Sequence, residues 1–229
     1  MKKIFIFIMI YLAVIFSFCV IPHGEIVFAQ DINVITETIK KDLEALEVNI
    51  EIPIIQGAKD ISVQDKINKI IYKDISDFRE MMEKDAEEYL KMARKANWEI
   101  RKMQAYTEYT VHFTESDVLS LSVFYYSYRL GAHGYTLQIA YNFNLATGEK
   151  IIFKDFIDKE GLSEEVINKE IRSAIESEKD KYFEDGASFK GVKEEQTFYI
   201  EDDGIVVYFG LYEIAPYAYG IRYFKIPYR

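Results

Sequence analysis

The sequence predicts an α+β fold, an antiparallel sheet built from a meander plus a C-terminal hairpin and covered by two helices. Three observations predict it: alternating apolar runs with tight-turn signals, two stretches of three- and four-residue apolar spacing, and the order strand, helix, meander, helix, hairpin, strand. The least ambiguous stretch is Phe198 to Tyr228, FYIEDDGIVVYFGLYEIAPYAYGIRYFKIPY. Two strand-like runs flank Asp203-Gly204, and a Tyr-rich loop carrying Pro216 leads to a last strand.

In chain order, Lys2 and Lys3 precede an uncharged apolar run from Ile4 to Ile21, followed by Val27-Phe28-Ala29. This is the pattern of an export signal over residues 1–29, with an uncleaved membrane anchor as the competing reading. Phe18 stands before Cys19 where a lipoprotein signal needs a small residue. Residues 31–41 have weak periodicity and read as a leading strand or a linker. Leu46, Val48, Ile50, Ile52 and Ile54 then alternate along a half-buried strand that stops at Gln56-Gly57. Ser62-Val63-Gln64-Asp65 reads as a helix cap. After it Ile67, Ile70, Ile71, Phe78, Met82, Tyr89 and Ala93 form an apolar stripe, and Glu80 with Lys84 and Glu87 with Lys91 make charged pairs on the opposite face. This helix, from about Ser62 to Arg94, would run ~50 Å, with a kink expected near Ala93 to Asn97.

Met103 to Phe113 and Val118 to Tyr128 read as a hairpin. In the second run Leu119, Leu121, Val123 and Tyr125 oppose Ser120 and Ser122, the alternation of a sheet with one side covered. Tyr135 to Phe143 continues the meander, and Ala146-Thr147-Gly148-Glu149 is a tight turn. Lys154 to Ile157 is a short helical corner. Ser163 caps a second helix striped by Val166, Ile167, Ile171, Ala174 and Ile175, running to about Phe183.

The chain of 229 residues has a formal charge of −10. Without Lys2, Lys3 and Glu25 its 28 basic and 38 acidic residues become 26 and 37, a charge of −11. That disfavours nucleic acid and anionic lipid and favours a basic partner. Removal of the signal takes Cys19 with it, so no disulfide framework is expected.

Catalytic signatures are sparse. Beyond the signal only His112 and His133 remain, with no HxxxH or HExxH spacing, so neither a metal nor another cofactor is expected. There is no GxSxG elbow. Glu201, Asp202 and Asp203 form the nearest carboxylate cluster for hydrolysis, but Asp at a hairpin is favoured by turn geometry. No enzymatic role and no catalytic residue is expected. His133, between Gly131 and Gly134, reads either as the hydrogen-bonding tip of an exposed loop or as a ring satisfying a nearby backbone group, and a single His favours the second. Tyr212, Tyr217 and Tyr219 around Pro216 suit a contact surface equally well as a corner of the core.

Taken together, Tyr128 followed by GAHGY, then YNFNLATGEKI, KDFI, FYIEDDGIVVYF, YEIAPYAYG and the terminal FKIPY resemble the extracytoplasmic module shared by RsiV-type anti-sigma factors and PdaC-type peptidoglycan deacetylases. The resemblance spans about Leu43 to Tyr228. It implies a PdaC-like first half over residues 30–144 and an RsiV-like second half over residues 145–229. The deacetylase catalytic domain and the sigma-binding segment have no counterpart in this sequence, so neither activity is expected to carry over. In the RsiV-like branch the module is a receptor for lysozyme, and in the PdaC-like branch an accessory wall-associated domain. The expectation is therefore a secreted or surface-tethered, non-catalytic binding module. Its partner would be a basic protein such as lysozyme, or else peptidoglycan glycan, and it would meet a membrane only through an uncleaved N-terminal segment. Tyr212, Pro216, Tyr217, Tyr219, Gly131, His133 and Gly134 are the candidate contacts.

Overall fold

The structure, a computed structural model, describes residues 32–228; the expected export signal lies outside them. Its strands are β1 (Asn33–Asp42), β2 (Leu46–Gln56), β3 (Met103–Phe113), β4 (Val118–Tyr128), β5 (Tyr135–Asn144), β6 (Phe198–Glu201), β7 (Gly204–Phe209) and β8 (Arg222–Pro227). The helices are α1 (Ile61–Ala96), α2 (Phe153–Lys159) and α3 (Glu164–Ser177). The α+β class holds, with the strands divided between a main sheet in the order β1-β2-β3-β4-β5 and a C-terminal sheet in the order β6-β7-β8.

Each sheet has its own helical cover and its own core. Leu46, Val48, Ile50 and Ile52 of β2 pack with Leu119, Leu121 and Val123 of β4 against Ile67, Ile71, Ile75 and Met82 of α1. Phe198, Ile200, Val207 and Phe224 of the second sheet pack against Phe153 and Phe156 of α2 and Ile167, Ile171 and Ile175 of α3. The buried residues of both cores lie between Ala45 and Ile226.

The main sheet is mixed rather than purely antiparallel, because β2 and β3 run parallel from Leu46↔Met103 to Ile50↔Thr107. The reason is α1: at 36 residues and ~1.5 Å per residue it carries the chain back ~54 Å, so β3 starts beside the start of β2. Asp60, not Ser62, caps it, accepting from the Ser62 N–H at 2.7 Å and the Val63 N–H at 3.4 Å. The helix runs through Ala93 and ends at Ala96, with Asn97 in the left-handed region as its C-cap. The expected Glu80–Lys84 and Glu87–Lys91 pairs do not form among the described residues; Lys73 pairs with Asp77 instead, and Arg94, Asp85 and Glu83 reach across to Glu44, Arg129 and Lys41. Two polar grips fix the helix to the sheet. The Asn68 amide accepts from the Ile55 N–H at 2.8 Å and donates to the Ile55 carbonyl at 2.9 Å. Tyr141 donates to Asp74 at 3.0 Å, so Tyr125 must donate to Tyr141 at 2.8 Å. Burial holds both hydroxyls well above the ordinary tyrosine range.

Residues 33–42 form a full strand, settling the choice left by their weak periodicity. The alternation in β2 changes phase at Pro53, where Ile52, Pro53 and Ile55 are buried and Ile54 is half-buried. Helix α3 starts on Ser163 as expected but stops at Ser177, with Ala174 exposed. In the C-terminal hairpin Glu201 pairs with Gly204, so Asp202-Asp203 is the turn and Gly204 opens β7. A Cβ on Gly204 would overlap the Ile226 carbonyl, so glycine is required there by close approach of β8.

The largest departure concerns the serine face of β4. Ser120 and Ser122 are 0 % exposed. They lie under the second sheet, and the two sheets satisfy each other's strand edges. Ser120 Oγ accepts from the Ile200 N–H at 2.9 Å and donates to Asn142 Oδ1 at 2.7 Å, while Asn142 Nδ2 donates to the Phe198 carbonyl at 2.8 Å. In return the Tyr208 hydroxyl accepts from the Ala140 N–H at 3.0 Å and donates to the Gln138 carbonyl at 3.3 Å, closing part of the free edge of β5. His112 sits at a bulge in β3, between Val111 and Phe113, which turns its ring into the same seam. It stacks on Tyr199 with centroids 3.7 Å apart. Its Nε2 lies 2.9 Å from Ser122 Oγ, which also accepts from Gln138 Nε2. Burial pushes its pKa below the ordinary 6.5, opposed by the nearby Glu201 carboxylate.

Candidate functional site: an aromatic cluster where two loops meet

The β4–β5 loop carries Gly131, His133 and Gly134; the β7–β8 loop carries Tyr212, Pro216, Tyr217 and Tyr219. The structure brings the two together although Tyr212 and His133 are 79 residues apart. The His133 ring stacks on Tyr217, centroids 3.9 Å apart at 25°. Tyr212 lies beside Tyr217 at 5.6 Å. His133 Nδ1 is 2.8 Å from the Gly134 carbonyl, which can only accept, so Nδ1 carries the hydrogen. In the neutral ring Nε2 is then an acceptor, and the Tyr212 hydroxyl donates to it at 3.3 Å. Tyr217 donates to the same Gly134 carbonyl at 2.9 Å. His133 therefore does both things its sequence context allowed: it satisfies a backbone group and stands exposed at the loop tip.

The cluster is held from below. Ile214 and Ala215, between Tyr212 and Pro216, are buried in the second core, and the Ile214 carbonyl accepts from the Phe183 N–H at 3.0 Å. The Gly210 N–H donates to Glu213 at 2.9 Å. Pro216 precedes a single 3₁₀ turn, Tyr217–Tyr219. Leu130 and Tyr212 both have φ in the left-handed region, 63° and 66°, so each loop holds a non-glycine residue in a conformation of cost ~1 kcal/mol or more. Gly134 is buried, and a Cβ there would overlap the Tyr126 ring unless that ring shifted.

Burial separates the seven candidates. Tyr212 is 50 % and Tyr219 40 % exposed, so neither belongs to the core. Tyr217 and Pro216 are half-buried, and Gly131 is exposed, a Cβ there meeting only the His133 carbonyl at ordinary contact distance. The stack of His133, Tyr217 and Tyr212 is thus a preorganised surface with Tyr219 standing beside it. Aromatic rings fixed in this way lose little entropy on binding. The carboxylates of the hairpin are differently placed: Lys225 lies 2.9 Å from Glu201 and 2.7 Å from Asp203, and its hydrogen bond holds the Asp203 carboxyl below its usual range. Among the described residues no group of three or more His, Cys, Asp or Glu converges as a metal site, and no helix is long and apolar enough to cross a membrane.

Sequence reasoning missed a second surface next to the cluster. Tyr106 of β3 and Tyr126 of β4 are register partners with rings 5.7 Å apart at 20°. They line a groove of about 410 Å³ with Asn49, Glu51, Glu108 and Phe124. Burial, and after it the Glu47 carboxylate, pushes the Tyr106 hydroxyl up to about 12. The only signal was Gln104, Tyr106 and Glu108 alternating with buried residues, which reads as an ordinary outer face.

No curated protein matches the chain. Among solved structures, a member of the DUF3298 family from Bacteroides fragilis has 20% identity and a TM-score of 0.63, with 87% of this chain and 91% of that chain covered. A DUF3298 family protein from Pseudomonas aeruginosa has 14% identity and a TM-score of 0.51, with the same coverage of 87% and 91%. At these identities the likeness is one of fold. Residues 39–136 match the family model described as Deacetylase PdaC, and residues 151–229 the one described as Protein of unknown function (DUF3298), so the chain joins a PdaC-like segment to a DUF3298-like segment on the fold of solved DUF3298 proteins.

Proposed function

We propose that this chain is an extracytoplasmic, non-catalytic binding module for a basic protein, with lysozyme as the expected partner. The observation that carries the reading is the convergence of the two loops on one exposed, prebuilt aromatic cluster, His133 with Tyr212 and Tyr217. Two further facts support it. A formal charge of −11 beyond residue 29 favours encounter with a cationic protein. The motifs on the two loops, GAHGY and YEIAPYAYG, are among those that resemble the module shared by RsiV-type anti-sigma factors, where it is a lysozyme receptor, and PdaC-type deacetylases.

The test is direct titration of residues 30–229 with lysozyme at several salt concentrations. Binding should weaken as salt rises, and Tyr212→Ala should weaken it by about tenfold or more, as loss of an interface aromatic does. Absence of binding at low ionic strength overturns the proposal. Co-sedimentation with purified sacculi in the absence of lysozyme would replace it with recognition of cell-wall glycan.

A further inference from the structure

The second sheet covers only the part of the main sheet that carries Ser120, Ser122, Gln138 and Asn142. Among the described residues, the rest of that face, across β2, β3 and β4, has no layer over it. We propose that this open face is a receptor for a cationic side chain, an arginine in particular, presented by the same basic partner; the inference rests on the reading given under Proposed function.

Four features point to that chemistry. Glu51 and Glu108 line the groove and Glu47 stands at its rim; among the described residues none of the three forms an ion pair, while Asp77, Glu83 and Asp85 of α1 and Glu201 and Asp203 beside β8 do. Among the described residues no basic side chain lines the groove. The cations of the neighbouring hollow are Lys40, Lys41 and Lys102. Lys41 and Lys102 are held by Glu83 and Asp42, and Arg101 at the near end donates to Tyr128 at 3.0 Å. Asn49 Oδ1 is buried and has no hydrogen-bond partner among the described residues, an acceptor that a native fold rarely leaves unused. Tyr106 and Tyr126, nearly parallel and half-buried, supply the aromatic surface over which a guanidinium is attracted. A planar five-donor group matches two carboxylates, an amide oxygen and an aromatic pair better than an ammonium or a sugar hydroxyl does.

The groove is continuous with the loop cluster. Gly134 packs its backbone on the Tyr126 ring, and its carbonyl is the acceptor shared by His133 and Tyr217. A partner seated on Tyr212 and Tyr219 is therefore within reach of the groove.

The experiment titrates residues 30–229 with a capped tri-arginine peptide, a capped tri-glutamate peptide and a chitin oligosaccharide, following the ring resonances of Tyr106 and Tyr126. Tri-arginine should move both and tri-glutamate neither. The Glu51→Gln/Glu108→Gln variant should bind tri-arginine about tenfold more weakly, the scale of one charged hydrogen bond, and Ser177→Ala, on the exposed side of α3, should leave that binding unchanged. If the double variant melts differently from the parent, Glu108→Gln alone, at an exposed position, replaces it. Unchanged tri-arginine binding in the carboxylate variant, or movement of the same rings by the oligosaccharide but not by tri-arginine, overturns the inference. Tri-arginine binding with no lysozyme binding would sink the partner and keep the groove; lysozyme binding indifferent to Glu51 and Glu108 would sink the groove and keep the partner.

Discussion

Replacing Ser120 by alanine removes one oxygen from the centre of the seam between the sheets, where the residue is 0 % exposed. Two groups then lose their partners: the Ile200 N–H, which donates to Ser120 Oγ at 2.9 Å, and Asn142 Oδ1, which accepts from it at 2.7 Å. Each buried orphan costs about 1–3 kcal/mol, so Ser120→Ala should lower unfolding stability by about 2–6 kcal/mol, a large part of the stability of an ordinary domain. Urea denaturation followed by circular dichroism measures it, and the midpoint should fall with an unchanged slope. Ser177→Ala is the control, since that hydroxyl bonds Ala174 on the exposed side of α3, and it should stay within about 0.5 kcal/mol of the parent. Asn142→Ala frees the Phe198 carbonyl and should cost a similar amount, with the double variant losing less than the sum because the two side chains share a bond. A loss below about 0.5 kcal/mol for Ser120→Ala would refute the argument that these side chains finish the edge of β6.

Stability should also depend on pH through His112. Burial lowers its folded pKa below the ordinary 6.5, so below pH 6.5 the unfolded chain binds more protons; the stabilisation is present above that value and lost as pH falls toward the folded pKa. His112→Gln should flatten this dependence between the ordinary histidine range and the onset of carboxylate titration, as read from chemical denaturation at stepped pH. Gly134→Ala should displace the Tyr126 ring, cost about 1–3 kcal/mol as overpacking does, and change the near-ultraviolet dichroism through both the Tyr106–Tyr126 and the His133–Tyr217 stacks.

What the sequence made legible was local. Helix α1 announces itself through a 3.6-residue stripe, and Ile67, Ile71 and Met82 are buried as the stripe requires. The hairpin of β3 and β4 is equally plain, its turn residues Ser116 and Asp117 both adopting positive φ. The parallel pairing of β2 with β3 was not legible, because it follows from the distance α1 carries the chain. Nor was the seam: Ser120, Ser122, Gln138 and Asn142 have the polarity of a solvated face, and only a second sheet with bare edge groups makes burying them favourable. The site was half legible. Both loops could be named from glycine, proline and tyrosine content, but their meeting depends on how β5 and β7 are brought together through Tyr208, and alternation alone cannot report that. For Glu51 and Glu108 the sequence carries no signal, because whether a basic side chain reaches them is a property of three strands at once.

The mutual closing of strand edges also has an order in time. The main sheet is complete in sequence by Asn144, yet the hydroxyls that cover the edge of β5 and its approach belong to Tyr208 and Tyr217, near the end of the chain. A nascent polypeptide folds from its N-terminal side, so β5 must wait with bare backbone groups until those last residues arrive. Any chain truncated before Tyr208 would keep a sheet with an unguarded border, able to recruit a strand from its neighbour.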